Sequence, residues 1–170
     1  MVIEGHSARV IREWYTHIGG SPTRLQASTR YVNYADFGYI IPPTISKNNP
    51  EALNIYCDTM DYLSISMDKL EELGIPREDI AMLLPLGMET KIVCKHNARN
   101  LIDMSHQRKC QRAYWEYRDI LQELEKALSD YSAEWAYLVE HYFKAKCDYL
   151  GYCPETYPCP KGKVLQNKNS

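Results

Sequence analysis

Apolar residues recur at three- and four-residue intervals along most of the chain, dividing it into helices joined by short extended and turn segments. Val10, Ile11, Trp14, Tyr15 and Ile18 share one face behind Ser7, a residue type that caps helix starts, while Arg9, Arg12, Glu13 and Thr16 lie mostly opposite. This spacing predicts a first helix that stops at Gly19-Gly20, followed by a polar loop over residues 21–27. Tyr31, Tyr34, Phe37, Tyr39, Ile40 and Ile41 then form a mostly extended stretch closed by Pro42-Pro43. Asn48 or Asn49 caps the next helix and Pro50 fits its first turn. Leu53, Tyr56, Cys57, Met60, Leu63, Met67 and Leu70 give that helix a packing stripe ending at Gly74.

Pro76 opens a short helix through Met82, Pro85 to Gly87 turn the chain, and Thr90 to Lys95 alternate as a strand does. Asn97 caps a helical pattern that carries Arg99, Asp103 and Arg108 and runs on to Ala113, Trp115 and Glu116. One further helix bears Leu121, Leu124 and Leu128, and another bears Trp135, Leu138, Val139, Tyr142 and Phe143. The polar residues after Lys161 are expected to fray. Neither an internal repeat nor a linker divides the pattern, so a single domain over residues 1–163 with a polar tail over 164–170 is expected.

Composition narrows the function classes. A chain of 170 residues that is 45% hydrophobic can bury a core of its own. Its formal charge of -2 argues against a protein that grips nucleic acid through bulk positive field. No apolar run is long enough to cross a bilayer and residues 1–5 lack the pattern of a secretory leader, so no membrane contact and a cytoplasmic location are expected.

Candidate chemistry concentrates in two places. Asparagine at a helix start leaves backbone donors facing outward, which suits an anion such as a pyrophosphate. Arg99 and Asp103, four apart, share a face, while Arg108 points about half a turn away by the helical period of 3.6. Two arginines aimed in opposed directions from one helix serve an oligomer whose sites lie between subunits. They equally fit surface pairing of Arg99 with Asp103 and of Arg108 with Glu116 or a neighbour. The second place is Tyr15-Thr16-His17, the Gly-Gly turn, and Ser28-Thr29-Arg30-Tyr31, which supplies a hydroxyl, a guanidinium and a ring. On its own a glycine pair is a helix stop and a lone His17 a structural hydrogen-bonder.

Taken together, the two constellations resemble the flavin-dependent thymidylate synthase family. The resemblance runs over Ile3-Glu4-Gly5, Trp14-Tyr15 before His17, Ser28-Thr29-Arg30-Tyr31, Pro42-Pro43 and Leu84-Pro85-Leu86. It ends on Asn97-Ala98-Arg99 through Arg108 to Ala113-Tyr114-Trp115-Glu116. It implies an α+β, helix-rich fold with a small, mostly antiparallel sheet and a homotetramer with sites between subunits. The implied reaction is reductive methylation of dUMP to dTMP, with FAD as cofactor and with methylenetetrahydrofolate and NADPH as co-substrates. By position, Arg108 takes the catalytic role of binding the uracil ring and favouring ionisation at its N3. Gln26, Ala27, Ser28, Thr29 and Arg30, with Glu13 and Trp14, fall to the nucleotide; His17, Asn97, Arg99 and Asp103 fall to the flavin.

Several positions depart from the family pattern. Thr16-His17-Ile18 stands for Arg-His-Arg, Ala81 for a phosphate-binding arginine and Gln26 for a glutamate, with Arg24 offering a substitute charge. The match begins well inside the pattern, so the family's amino-terminal part is expected to be missing from this chain. A repurposed scaffold that binds a nucleotide without flavin chemistry, or an enzyme acting on C5 of another pyrimidine nucleotide, are the alternatives.

Cys147, Cys153 and Cys159, with Gly151-Tyr152-Cys153-Pro154-Glu155 between, are similar to an extension in some members. Three thiols at six-residue steps could hold zinc with His141, but the tight pairs of zinc sites are missing. No metal is expected, and reduced thiols or a local disulfide are the reading.

Overall fold

A computed structural model describes residues 1–19, 22–26, 28, 36–47 and 49–167. The chain gathers into two compact units, one made of Met1–Tyr15 with Arg24–Cys94 and the other of Thr16–Thr23 with Lys95–Ser170.

The first unit is built on a sheet with strand order β1-β3-β2, where β1 is Val2–Ser7, β2 is Thr23–Gln26 and β3 is Glu89–Lys95. β1 and β3 run antiparallel and pair Ile3 with Ile92 and His6 with Thr90; the register slips between them at a bulge. Gly5 sits inside that bulge at φ 74, a conformation that costs glycine little. β3 alternates cleanly: Thr90, Ile92 and Cys94 are buried between exposed neighbours, as the sequence pattern predicts. Neither β1 nor β2 is in the sequence reading, which places a loop over 21–27.

Helix α1 (Ala8–Trp14) follows β1 directly. Ser7 caps it as expected, its side chain accepting from the Val10 amide. The helix stops short of the predicted end, however, and Ile18 is 75% exposed. One reason is local to this unit: Arg24 donates to the Tyr15 carbonyl at 3.1 Å, with its guanidinium 5.2 Å from the Tyr15 ring centroid, so a side chain satisfies a carbonyl at the helix end. Val10, Ile11 and Trp14 are completely buried.

The Tyr31–Ile41 stretch is described only from residue 36 on, where Tyr39 bridges Met88 and the Ile40 amide donates to Gly87. A short helix α2 (Pro43–Ser46) leads to α3 (Pro50–Glu72), the longest helix among the described residues. Asn49 is the cap, accepting from the Glu51 amide at 2.9 Å and the Ala52 amide at 3.3 Å. Asn49→Ala is expected to lower stability by about 1 kcal/mol, the usual worth of such a cap, as read by urea unfolding. Met60 and Met67 of the stripe pack with Phe37, Ile80 and Met88, whereas Ile55, Tyr62 and Ile65 are exposed. The predicted short helix appears as α4 (Arg77–Ile80) continued by a 3-10 turn, Ala81–Leu83. At Gly87 a methyl group would stand 2.5 Å from the Tyr56 hydroxyl, so glycine alone fits there.

The second unit is helical: α5 (Ala98–Arg108), α6 (Trp115–Tyr131), α7 (Ala133–Tyr142), α8 (Lys146–Leu150) and α9 (Pro160–Asn167). The pattern read as continuous from Asn97 to Glu116 is broken between α5 and α6. In the break, the Lys109 ammonium donates to the Glu125 carboxylate and to the Phe143 carbonyl, both at 2.8 Å. Those tertiary bonds replace local helix continuation with an anchor. Ser132 separates α6 from α7 and caps the latter through the Trp135 amide. Leu101, Met104, Tyr117, Ile120, Leu121 and Phe143 are buried. The region after Lys161 is helical as far as Asn167, where fraying is the sequence expectation; α9 starts on Pro160, whose fixed φ suits a first helical position.

Candidate functional site

Helix α5 and the short Thr16–Gly19 segment of the same unit bring the sequence-predicted residues together at two levels. At the start of α5, Asn97 accepts from the Asn100 amide at 2.8 Å, as the sequence predicts. Asn100 itself is buried and hydrogen-bonds the His96 ring, fixing the turn that feeds the helix. Asn97, Arg99 and Asp103 are exposed. This end of the helix carries the positive pole of the peptide dipoles, which with Arg99 suits an anionic group, while Asp103 opposes it one turn on.

At the other end of α5, Arg108 meets a separate cluster. Its Nε–H donates to His17 Nε2 at 3.0 Å, and an η nitrogen reaches the Thr16 hydroxyl at 3.5 Å. The guanidinium lies 4.9 Å from the Tyr117 ring centroid. His17 and Tyr117 meet edge to face at 5.8 Å and 65°. His17 is buried and Tyr117 completely so, while Arg108 is half-buried.

Because Arg108 donates, His17 must accept at Nε2. That requires the neutral ring with its proton on Nδ1. The Tyr117 ring beneath it and the bond to His17 together hold the guanidinium in place. Arginine stacks well in this way, and its delocalised cation keeps its charge when partly desolvated. Such a cation polarises a carbonyl or stabilises an anion placed against it.

The residues expected at the nucleotide are found in the first unit. Gln26 is exposed and its amide reaches the Thr90 hydroxyl at 3.4 Å; Ser28 is exposed and Glu13 half-buried. Trp14 has 0% exposure, and its indole N–H donates toward the Cys94 thiol, itself pushed up by burial. The place of Trp14 is thus in the core. Ala27, Thr29 and Arg30 lie outside the described residues. Arg24 is engaged with Tyr15 in the first unit, as described.

Tyr117 is missing from the sequence reading of the site, whereas Thr16 is in it as part of Tyr15-Thr16-His17. Thr16 stands where the resemblance expects an arginine, and it is the hydroxyl that meets Arg108. Tyr117 follows the Ala113–Glu116 run by one residue, but the break after Arg108 resets the helical phase, so periodicity cannot place it against the guanidinium. Glu116, beside it, is 1% exposed in the first turn of α6.

His141, the fourth ligand that a zinc site would need, is engaged with Tyr137. Its Nδ1 faces the Tyr137 carbonyl and its ring stacks on Tyr137 at 4.0 Å. Among the described residues, no group of three or more His, Cys, Asp or Glu is arranged to hold a metal ion.

The family model for thymidylate synthase complementing protein matches residues 1–131, which include His17, the whole of α5 and Tyr117. A flavin-dependent thymidylate synthase of Pyrococcus horikoshii is 31% identical over 98% of this chain and 69% of its own length. One from Nitratidesulfovibrio vulgaris is 32% identical over 90% of this chain and 63% of its own. Another, from Clostridium tetani, is 34% identical over 58% of this chain and 46% of its own. The chain therefore spans between about half and two-thirds of the length of these curated relatives. With the match running through the helix that carries Arg108 and through its buried partners, the chain belongs to the thymidylate synthase complementing protein family.

Proposed function

We propose that this chain catalyses the reductive methylation of dUMP to dTMP, working as a homotetramer in the cytoplasm with sites between subunits. The observation that carries the reading is Arg108, a half-buried cation whose orientation is set by His17 and Tyr117. A guanidinium so held binds the uracil ring and favours its N3-deprotonated form, which places negative charge where a partly desolvated cation stabilises it most. Gln26, Ser28 and Glu13, with Ala27, Thr29 and Arg30, line the nucleotide in this reading; Trp14 supports them from the core.

The start of α5 has the chemistry to hold FAD. The residues available at the start of α5 are exposed Asn97 and Arg99 at the positive pole of an 11-residue helix, a donor set suited to a phosphate-bearing group. When bound there, FAD supplies hydride chemistry. The one-carbon unit comes from methylenetetrahydrofolate and the electrons from NADPH. The work of the chain's own residues is to bind and orient: Asn97 and Arg99 hold the cofactor, His17 holds Arg108, and Arg108 holds the pyrimidine.

Purified protein supplied with FAD is expected to retain yellow flavin absorbance that is released on denaturation, and to release tritium from C5-labelled dUMP. A colourless protein that cannot be loaded with FAD would overturn the proposal. Turnover of another pyrimidine nucleotide in place of dUMP would redirect its substrate.

A further inference from the structure

The second unit holds a cavity of about 480 Å³ that has no part in the chemistry proposed above. Its walls include Cys110, Cys147, Cys153 and Cys159 together with Lys161. Among them, Cys147 and Cys153 stand out. Both are buried, and with Ala145 they form one small cluster against which Leu165 packs.

Local chain chemistry puts them there. Helix α8 ends at Gly151, in a left-handed conformation at φ 77, with the Gly151 amide donating to the Cys147 carbonyl at 3.0 Å. That reversal folds the following residues back over α8. From the other side, α9 fixes Cys153: a methyl group on Gly162 would stand 2.7 Å from the Cys153 sulfur, so only glycine lets the two approach. The same Gly162 amide donates to the Cys159 sulfur at 3.4 Å, which occupies that thiol as a helix cap. Lys161 is tied to Asp148 at 2.7 Å.

We propose that Cys147 and Cys153 form a reversible disulfide, making the wall of this cavity a site of oxidation by low-molecular-weight disulfides. One thiolate of the pair attacks the small disulfide RSSR. Its S–S bond breaks, one RS⁻ leaves and a mixed disulfide forms. The second cysteine thiolate then attacks the protein sulfur of that mixed disulfide and expels the other RS⁻. Two cysteine protons end on two RSH, the cysteine pair is oxidised by two electrons, and the small disulfide is reduced by two. The cavity supplies the approach that buried thiols otherwise lack. Burial, with the Asp148 carboxylate beside it, pushes the Cys147 thiol up, so the coupling is slow at neutral pH and quickens in mild alkali.

The test treats the folded, full chain with glutathione disulfide and counts thiols after quenching and unfolding. The count is expected to fall from six, the number of cysteines, to four. Cys147, Cys153 and Cys159 share one tryptic peptide, because no Lys or Arg lies between Lys146 and Lys161, so mass spectrometry of that peptide reads the pairing directly. Cys159→Ser is expected to keep the loss of two thiols, while Cys147→Ser and Cys153→Ser abolish it. Two results would overturn the proposal. One is coupling in the wild-type peptide that leaves Cys147 or Cys153 alkylated. The other is survival of all six thiols in the folded chain under conditions that couple those of the urea-unfolded chain.

Discussion

Arg108→Ala is expected to lower tritium release from C5-labelled dUMP by about 10²- to 10³-fold, the usual cost of removing one preorganised charge-stabilising donor. The effect should appear in kcat/KM, since the guanidinium acts on charge that grows as the pyrimidine is activated. Arg108→Lys should recover little. A lysine ammonium keeps the charge but loses the plane that lies over Tyr117 and the Nε–H that meets His17. Assembly and helix content should be unchanged, because α5 buries Leu101, Met104 and Ser105 and not Arg108. Unaltered turnover in the alanine variant would remove Arg108 from the reaction.

Trp14→Ala should have the largest effect on stability, a loss of about 3–5 kcal/mol read from the urea midpoint. Its side chain is wholly enclosed in the first unit, beside buried Val10 and Ile11 on the same helix. Deleting an indole leaves a cavity that close-packed neighbours fill only in part. It also strands Cys94 without its indole donor. The loss amounts to a large part of the net stability of an ordinary domain, so the variant should express poorly. A Trp14→Phe change that restores most of the midpoint would show that volume, and not the indole N–H, is what the core needs.

What could be read from the sequence follows the range of the forces involved. Ser7, Asn49 and Asn97 act on amides two or three residues away, so their caps are legible from residue type and position. The alternation of β3 is legible for the same reason, since each residue's face is set by its parity along the strand. β1 is not, because the bulge at Gly5 disturbs the two-residue period. β2 has four residues with a single half-buried one, too little pattern to separate from a loop. The ends of α1 and α5 are decided by Arg24 and Lys109, through bonds to partners distant in sequence. At the site, Arg108 and His17 stand out in two separate stretches of the sequence, and only the family resemblance joins them. Their contact spans 91 residues and no local spacing encodes it. Tyr117 completes the cluster for the same non-local reason.

Thr16–Thr23 packs with Lys95–Ser170, although the whole of Arg24–Cys94 intervenes in the chain. No single truncation of the gene can therefore deliver the helical half intact. A fragment starting at Lys95 would still encode α5 to α9, yet its Arg108 would be stripped of both His17 and Thr16. Anyone transplanting this arginine onto another scaffold, or dissecting the protein into expressible pieces, would have to splice the short upstream loop back in.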